Sequence, residues 1–123
     1  MPKFNNLSDK NQRRVRSHIH KKINALNEGR FMLRERARKV NLSSGEAFAI
    51  DTYLLRIEHA IDIWLDRLAA MELSNATVTV PSASDLQKLS DGINKIRQIV
   101  AANKTAKQIM KSVTDATGKL QKP

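Results

Sequence analysis

Cysteine is absent from the 123-residue sequence, which excludes a disulfide framework, a thiolate nucleophile and any cysteine-ligated metal. Aromatic residues make up only 4%, so Leu, Ile, Val and Ala must supply nearly all of a core. Glycines are few as well, four in all. No Gly-rich phosphate loop, Gly-x-Ser-x-Gly elbow or convincing Ser/His/Asp arrangement occurs, so the chain is read as non-enzymatic. Long apolar runs are missing, and Met1 to Lys10 lacks the apolar centre of a secretory signal; the expectation is a soluble, cytoplasmic protein with no integral membrane segment. Strand signals are also scarce. Thr77-Val78-Thr79-Val80 alternates, but no second stretch offers it a partner, so residues 73–83 read as an extended connector passing through Pro81.

What is present is an ordinary globular balance, 41% hydrophobic and 28% charged, in a length that fits one domain. Val15, Ile19, Ile23, Leu26, Leu33, Ala37 and Val40 recur at three- and four-residue steps after the Ser8-Asp9 start signal. They predict an amphipathic helix over about residues 8–40. Gly29 interrupts that stripe, predicting either a kink or a distal half that meets a second surface. Ser43 and Glu46 form a predicted capping box for a second helix over about 44–72, whose seam is Ala47, Ile50, Leu54, Ile57, Ile61, Trp64, Leu68 and Met71. The heptad-like three-and-four spacing predicts coiled-coil-like, near-antiparallel packing on another long helix.

Ser82 with Asp85 and Ser84 with Gln87 are rival caps for a third helix over about 84–102, carrying Leu86, Leu89, Ile93, Ile96 and Val100. A second stripe, Ala102, Ala106, Ile109, Val113, Ala116 and Leu120, points elsewhere around the helix. A break near Ala101–Lys104, with Thr105 recapping, lets both stripes reach one core and makes a further helix over about 104–118. The fold class is therefore all-α: an antiparallel bundle of three long helices, or four if the chain breaks near Asn103.

The net charge of +10 is unevenly placed. Residues 1–40 hold 12 basic and 3 acidic side chains, residues 41–75 hold 2 and 6, and residues 76–123 hold 8 and 3. Such alternation predicts faces with different partners. On helix 1, Lys10, Arg13, Arg14, Arg16, His20, Lys21, Lys22, Arg38 and Lys39 read as a cationic ridge for nucleic acid or another polyanion, with Arg14 and Lys21 at its centre. Lys104, Lys107 and Lys111 add a second basic segment. No helix-turn-helix signature, zinc-finger spacing or aromatic stacking platform accompanies them, so sequence-tolerant binding is expected. The bland alternative is a solvated face paired with helix 2 carboxylates.

Phe31, Met32, Phe48 and Leu55 lie off the main seams and are candidate contacts for a homo-oligomer or a helical protein partner; Leu73 is also off-seam. Glu58, His59, Asp62 and Asp66 share the outer side of helix 2 but lack the inward Glu-x-x-His of a di-metal bundle, so no metal or cofactor is expected. Trp64 and Tyr53 read as core. The spacing of Arg13 and His18 resembles the arginine–four residues–histidine motif of HEPN-type helical ribonucleases. That resemblance implies His18 as general acid or base and Arg13 as phosphate stabiliser. It covers two residues of the first helix, whereas the family's motif lies late in its bundle.

Overall fold

A computed structural model describes residues 1–38, 41–118 and 120. Four helices form: α1 (Asp9–Ala37), α2 (Ser44–Ser74), α3 (Ala83–Arg97) and α4 (Ala106–Thr117), with single 3₁₀ turns at Phe4–Asn6 and Ala101–Asn103. Among the described residues there is no strand. Contacts between the helices fix their directions. Arg36 meets Glu46 and Arg16 meets Glu72, so α2 runs antiparallel to α1. Lys21 meets Ser90 and Arg97 meets Glu28, so α3 runs parallel to α1. Lys22 reaches Thr117 and Gly29 abuts Val113, so α4 is antiparallel again. The bundle is thus up-down-up-down, with α1 touching all three other helices.

Each helix starts where its cap residue allows. Ser8 Oγ accepts the Asn11 N–H, and Thr105 forms a complete capping box with Gln108. Of the two rival caps for α3, Ser82 with Asp85 prevails, and its box is complete in both directions. The four-helix alternative is the observed one. The chain leaves helical geometry after Arg97, passes the Ala101–Asn103 turn and restarts behind Thr105. Leu89, Ile93 and Ile96 on one side of this break and Ala106, Ile109 and Val113 on the other then reach a common core.

Helix α1 is unbroken at Gly29. A Cβ at Gly29 would collide with Cγ2 of Val113, so glycine fits where α4 crosses α1. The helix ends at Ala37 rather than Val40; Val40 and Lys39 lie outside the described residues.

Two apolar clusters result. The larger joins all four helices through Ala25, Leu26, Leu33, Ile50, Ile57, Ile93, Ile96 and Ile109. The smaller gathers Phe4, Val15, Ile19 and Met71 at the other end, where α1 and α2 extend beyond the end of α4. The connector after α2 closes that end, and it does find a partner: the chain's own N-terminal arm. Phe4 N–H donates to the Ala76 carbonyl, Val78 N–H donates to the Pro2 carbonyl, and Asn5 N–H donates to Asn75 Oδ1. Asn75 itself takes the left-handed conformation at the α2 C-cap (φ 49°), one of the few roles in which asparagine tolerates it.

Candidate nucleic-acid interface

The cations predicted to form one ridge on α1 divide by their surroundings. Lys10, Arg13 and His20 are exposed and Arg14 is half-buried. Among the described residues no carboxylate lies within salt-bridge distance of Lys10, Arg13 or Arg14. Arg16 is neutralised: its Nε donates to Glu72 Oε1 at 3.0 Å, and its guanidinium lies 5.0 Å from the Phe4 ring centre. Arg38 pairs with Glu35 at 3.1 Å. Lys21 and Lys22 bond only neutral oxygens, Lys21 Nζ donating to Ser90 Oγ and Lys22 Nζ to the Thr117 carbonyl, both at 2.7 Å. Neither therefore has a carboxylate to offset it, and burial lowers the Lys22 value.

The expected centre of the ridge is displaced. Lys21 lies against α3 at Ser90 and Arg14 is half-buried, whereas Arg13 and His20 stand open. The sequence stripe locates the face buried against α2; it does not reveal that α3 and α4 cover a second side of α1. The same cause relocates Met32, expected as a free apolar contact. It sits in the four-helix core, on the side of α1 that carries Gly29 and meets α4. Phe31, Phe48 and Leu55 remain exposed, at 56%, 73% and 59%. Beside Lys21, a shallow groove between α1 and α3 is lined by Asn24, Ser90, Asn94 and Arg97. Lys21 is the groove's unpaired cation, since Arg97 is held by Glu28 at 2.8 Å, and the Asn24, Ser90 and Asn94 side chains beside it can donate to phosphate oxygens. The second basic segment does not extend this surface. Lys104 and Lys107 flank the start of α4, at the end of the bundle where Glu46 meets Ala106, opposite the α1 N-terminus.

That opposite end holds a cluster the sequence did not indicate. Arg36 Nε and Nη2 donate to the two Glu46 oxygens at 2.8 and 3.2 Å, and Glu46 Oε1 also accepts the Ala106 N–H at 2.9 Å. Ser43 caps α2 as predicted, through the Glu46 N–H, but the Glu46 carboxylate does not complete the capping box. A forked guanidinium and the unpaired N–H at the start of α4 hold it instead, a stronger set than a single backbone donor. Both hydrogen bonds push the Glu46 carboxyl below its ordinary range, and the same pair raises Arg36.

Arg13 and His18 do not converge. Five residues apart, they lie roughly 140° apart around α1; Arg13 faces solvent while His18 turns inward, its ring edge-on to Trp64 with centroids 5.8 Å apart. Burial, aided by nearby Lys22, holds the His18 imidazole below its usual value, against a weaker opposing effect of Asp85. No grouping of three or more metal-ligating side chains occurs among the described residues, and no described helix is long and apolar enough to cross a membrane. No protein-family model matches the chain, and no curated protein and no solved structure is significantly similar to it.

Proposed function

We propose that this protein is a non-enzymatic binder of a polyanion, nucleic acid foremost, through the N-terminal half of α1 and the adjoining edge of α3. The observation that carries this reading is the set of unneutralised cations there. Among the described residues Lys10, Arg13 and Arg14 lack a carboxylate partner, and Lys21 and Lys22 are bonded to neutral oxygens with no carboxylate to offset them. A rigid helix holding such a row displaces condensed counterions when it meets phosphates, with little dependence on base sequence.

The test is a gel-shift titration of mixed-sequence DNA and RNA at two salt concentrations. The triple variant Lys10→Glu, Arg13→Glu, Arg14→Glu changes side chains without intramolecular acceptors, so the fold is unaffected. Its affinity should drop at least tenfold, and the log–log salt slope should fall by about 2–3, at roughly 0.9 for each phosphate no longer neutralised. Lys104→Glu with Lys107→Glu should do much less, although it removes comparable charge. Equal loss in both variants would reduce the effect to net charge alone.

A second reading, an assembly subunit, is favoured by the outward face of α2. Phe48 and Leu55 lie seven residues apart on one side of that helix, with exposed Asp51, Asp62 and Asp66 around them. Such a face suits a basic amphipathic helix, a second copy included. Sedimentation equilibrium decides the self-associating form: a dimer that Phe48→Ser with Leu55→Ser converts to monomer supports it, and a monomer at all concentrations removes it.

A further inference from the structure

The end of the bundle that α4 does not reach contains a cavity of about 350 Å³. Its apolar side is Val15 and Ile19 from α1, Met71 from α2 and Val78 from the connector, with Thr77 and Thr79 of the connector beside them. Trp64 forms one side, with two cations and the His18 imidazole around its ring. The Arg67 guanidinium lies 4.5 Å from the ring centre, the Lys22 ammonium 5.9 Å, and the His18 ring meets it edge-on. Arg67 and His18 line the cavity itself, and no carboxylate does among the described residues. Nor does any described carboxylate pair with Lys22 or Arg67, in a molecule where Arg16, two helical turns away, has Glu72.

We propose that this cavity binds a small carboxylate with an apolar body, such as a short acyl acid, with the apolar part between Val15, Ile19, Met71 and Trp64 and the carboxylate on Arg67. An apolar enclosure with a few convergent polar groups is the usual form of a small-molecule site, and the charge at its mouth selects the sign of the ligand. Arg67 supplies a forked donor matched to a carboxylate. Lys22 adds long-range attraction while remaining on the Thr117 carbonyl. The site shares Lys22 with the phosphate-binding face but opens beside α2 and the connector, and Lys10, Arg13 and Arg14 have no part in it.

The chain's one tryptophan makes the test specific, because its indole N–H gives a single resonance that reports from the cavity wall. Hexanoate and its neutral isostere hexanamide are titrated against the full chain. Hexanoate should shift the Trp64 indole signal saturably, and hexanamide should need about tenfold more, the usual margin for a charge-assisted bond. Arg67→Gln, an exposed position, should bring the two ligands to equal affinity. Ala70→Leu, which fills the cavity from an exposed position on α2, should abolish both shifts with the circular dichroism spectrum unchanged. No saturable shift would overturn the proposal. So would equal binding of hexanoate and hexanamide to the unaltered protein, or full hexanoate binding by Ala70→Leu.

Discussion

The two ends of this bundle are built on opposite principles. At the loop end, α4 completes a four-helix core, and the charges that meet there are matched: Arg36 with Glu46, and Glu46 with the first N–H of α4. At the other end α4 is missing, an N-terminal arm and a connector substitute for a helix, and, Arg16 with Glu72 apart, the cations rest on neutral oxygens, aromatic rings or solvent. A short fourth helix thus sets both features together. Where it packs, one core joins all four helices; where it stops, a smaller cluster and the Trp64 cavity remain.

The largest expected effect tests that contrast in stability. Leu33 and Phe4 are both buried, at 0% and 2% exposure, yet they belong to different clusters. Leu33→Ala empties the four-helix core and should lower global stability by about 2–5 kcal/mol. Phe4→Ala removes more apolar surface, but the arm that carries it can detach without unfolding the bundle. Its global cost is therefore capped at the free energy of that local opening. Chemical denaturation should show the smaller loss for Phe4→Ala, while hydrogen exchange at the Val78 amide, bonded to Pro2, should accelerate sharply. Equal global losses would mean that the arm is integral to the core.

Much of the fold was legible because helical periodicity and capping chemistry are local. Ser8, Ser43 and Thr105 each cap the helix their positions predicted, and the change of stripe after Val100 marked the break into α4. What could not be read was long-range. Nothing in the sequence near Gly29 says that Val113 will lie against it, and with that crossing unknown, Met32 looked free and Arg14 looked central. Glu46 misled for the same reason: its spacing from Ser43 is that of a capping box, but Arg36 and Ala106 compete from other helices and win. The Trp64 niche combines α1, α2 and the connector, and each contributor taken singly reads as ordinary core.

Acid should weaken both ends in the same direction, through Glu46 at one and Asp85 at the other. The Glu46 carboxyl is depressed by the Arg36 and Ala106 hydrogen bonds, so its contribution to stability is present above the ordinary value of 4.5 and is lost as pH falls through the lower folded value. Asp85, held down by its bonds to Ser82, acts in the same direction at the start of α3. In Glu46→Gln, stability at neutral pH should be lower than in the parent, and the decline below about pH 4.5 should be shallower. Thermal unfolding followed between pH 2 and 6 checks both. Two parallel curves would show that the triad does not couple to folding.

The smallest effect belongs to His18; it has the same sign as that of Glu46 but falls at higher pH. Its imidazole is kept neutral by burial against Trp64 and by the Lys22 ammonium, and Asp85 on α3 opposes them. Because the folded value lies below the ordinary 6.5, the unfolded chain takes up the proton first. Stability therefore rises with pH across the interval between the two values and is flat on either side. The neighbours make the sign separable by NMR titration of the imidazole. Lys22→Met removes a repelling cation and should raise the His18 value, whereas Asp85→Asn removes the one attracting carboxylate and should lower it further. Arg67, which shares the cavity, is too exposed and solvent-screened to dominate either shift. Opposite movements in the two variants locate His18 inside a cationic niche; movements of the same sign would mean that the ring is solvated and that this end of the bundle is more open than its packing indicates.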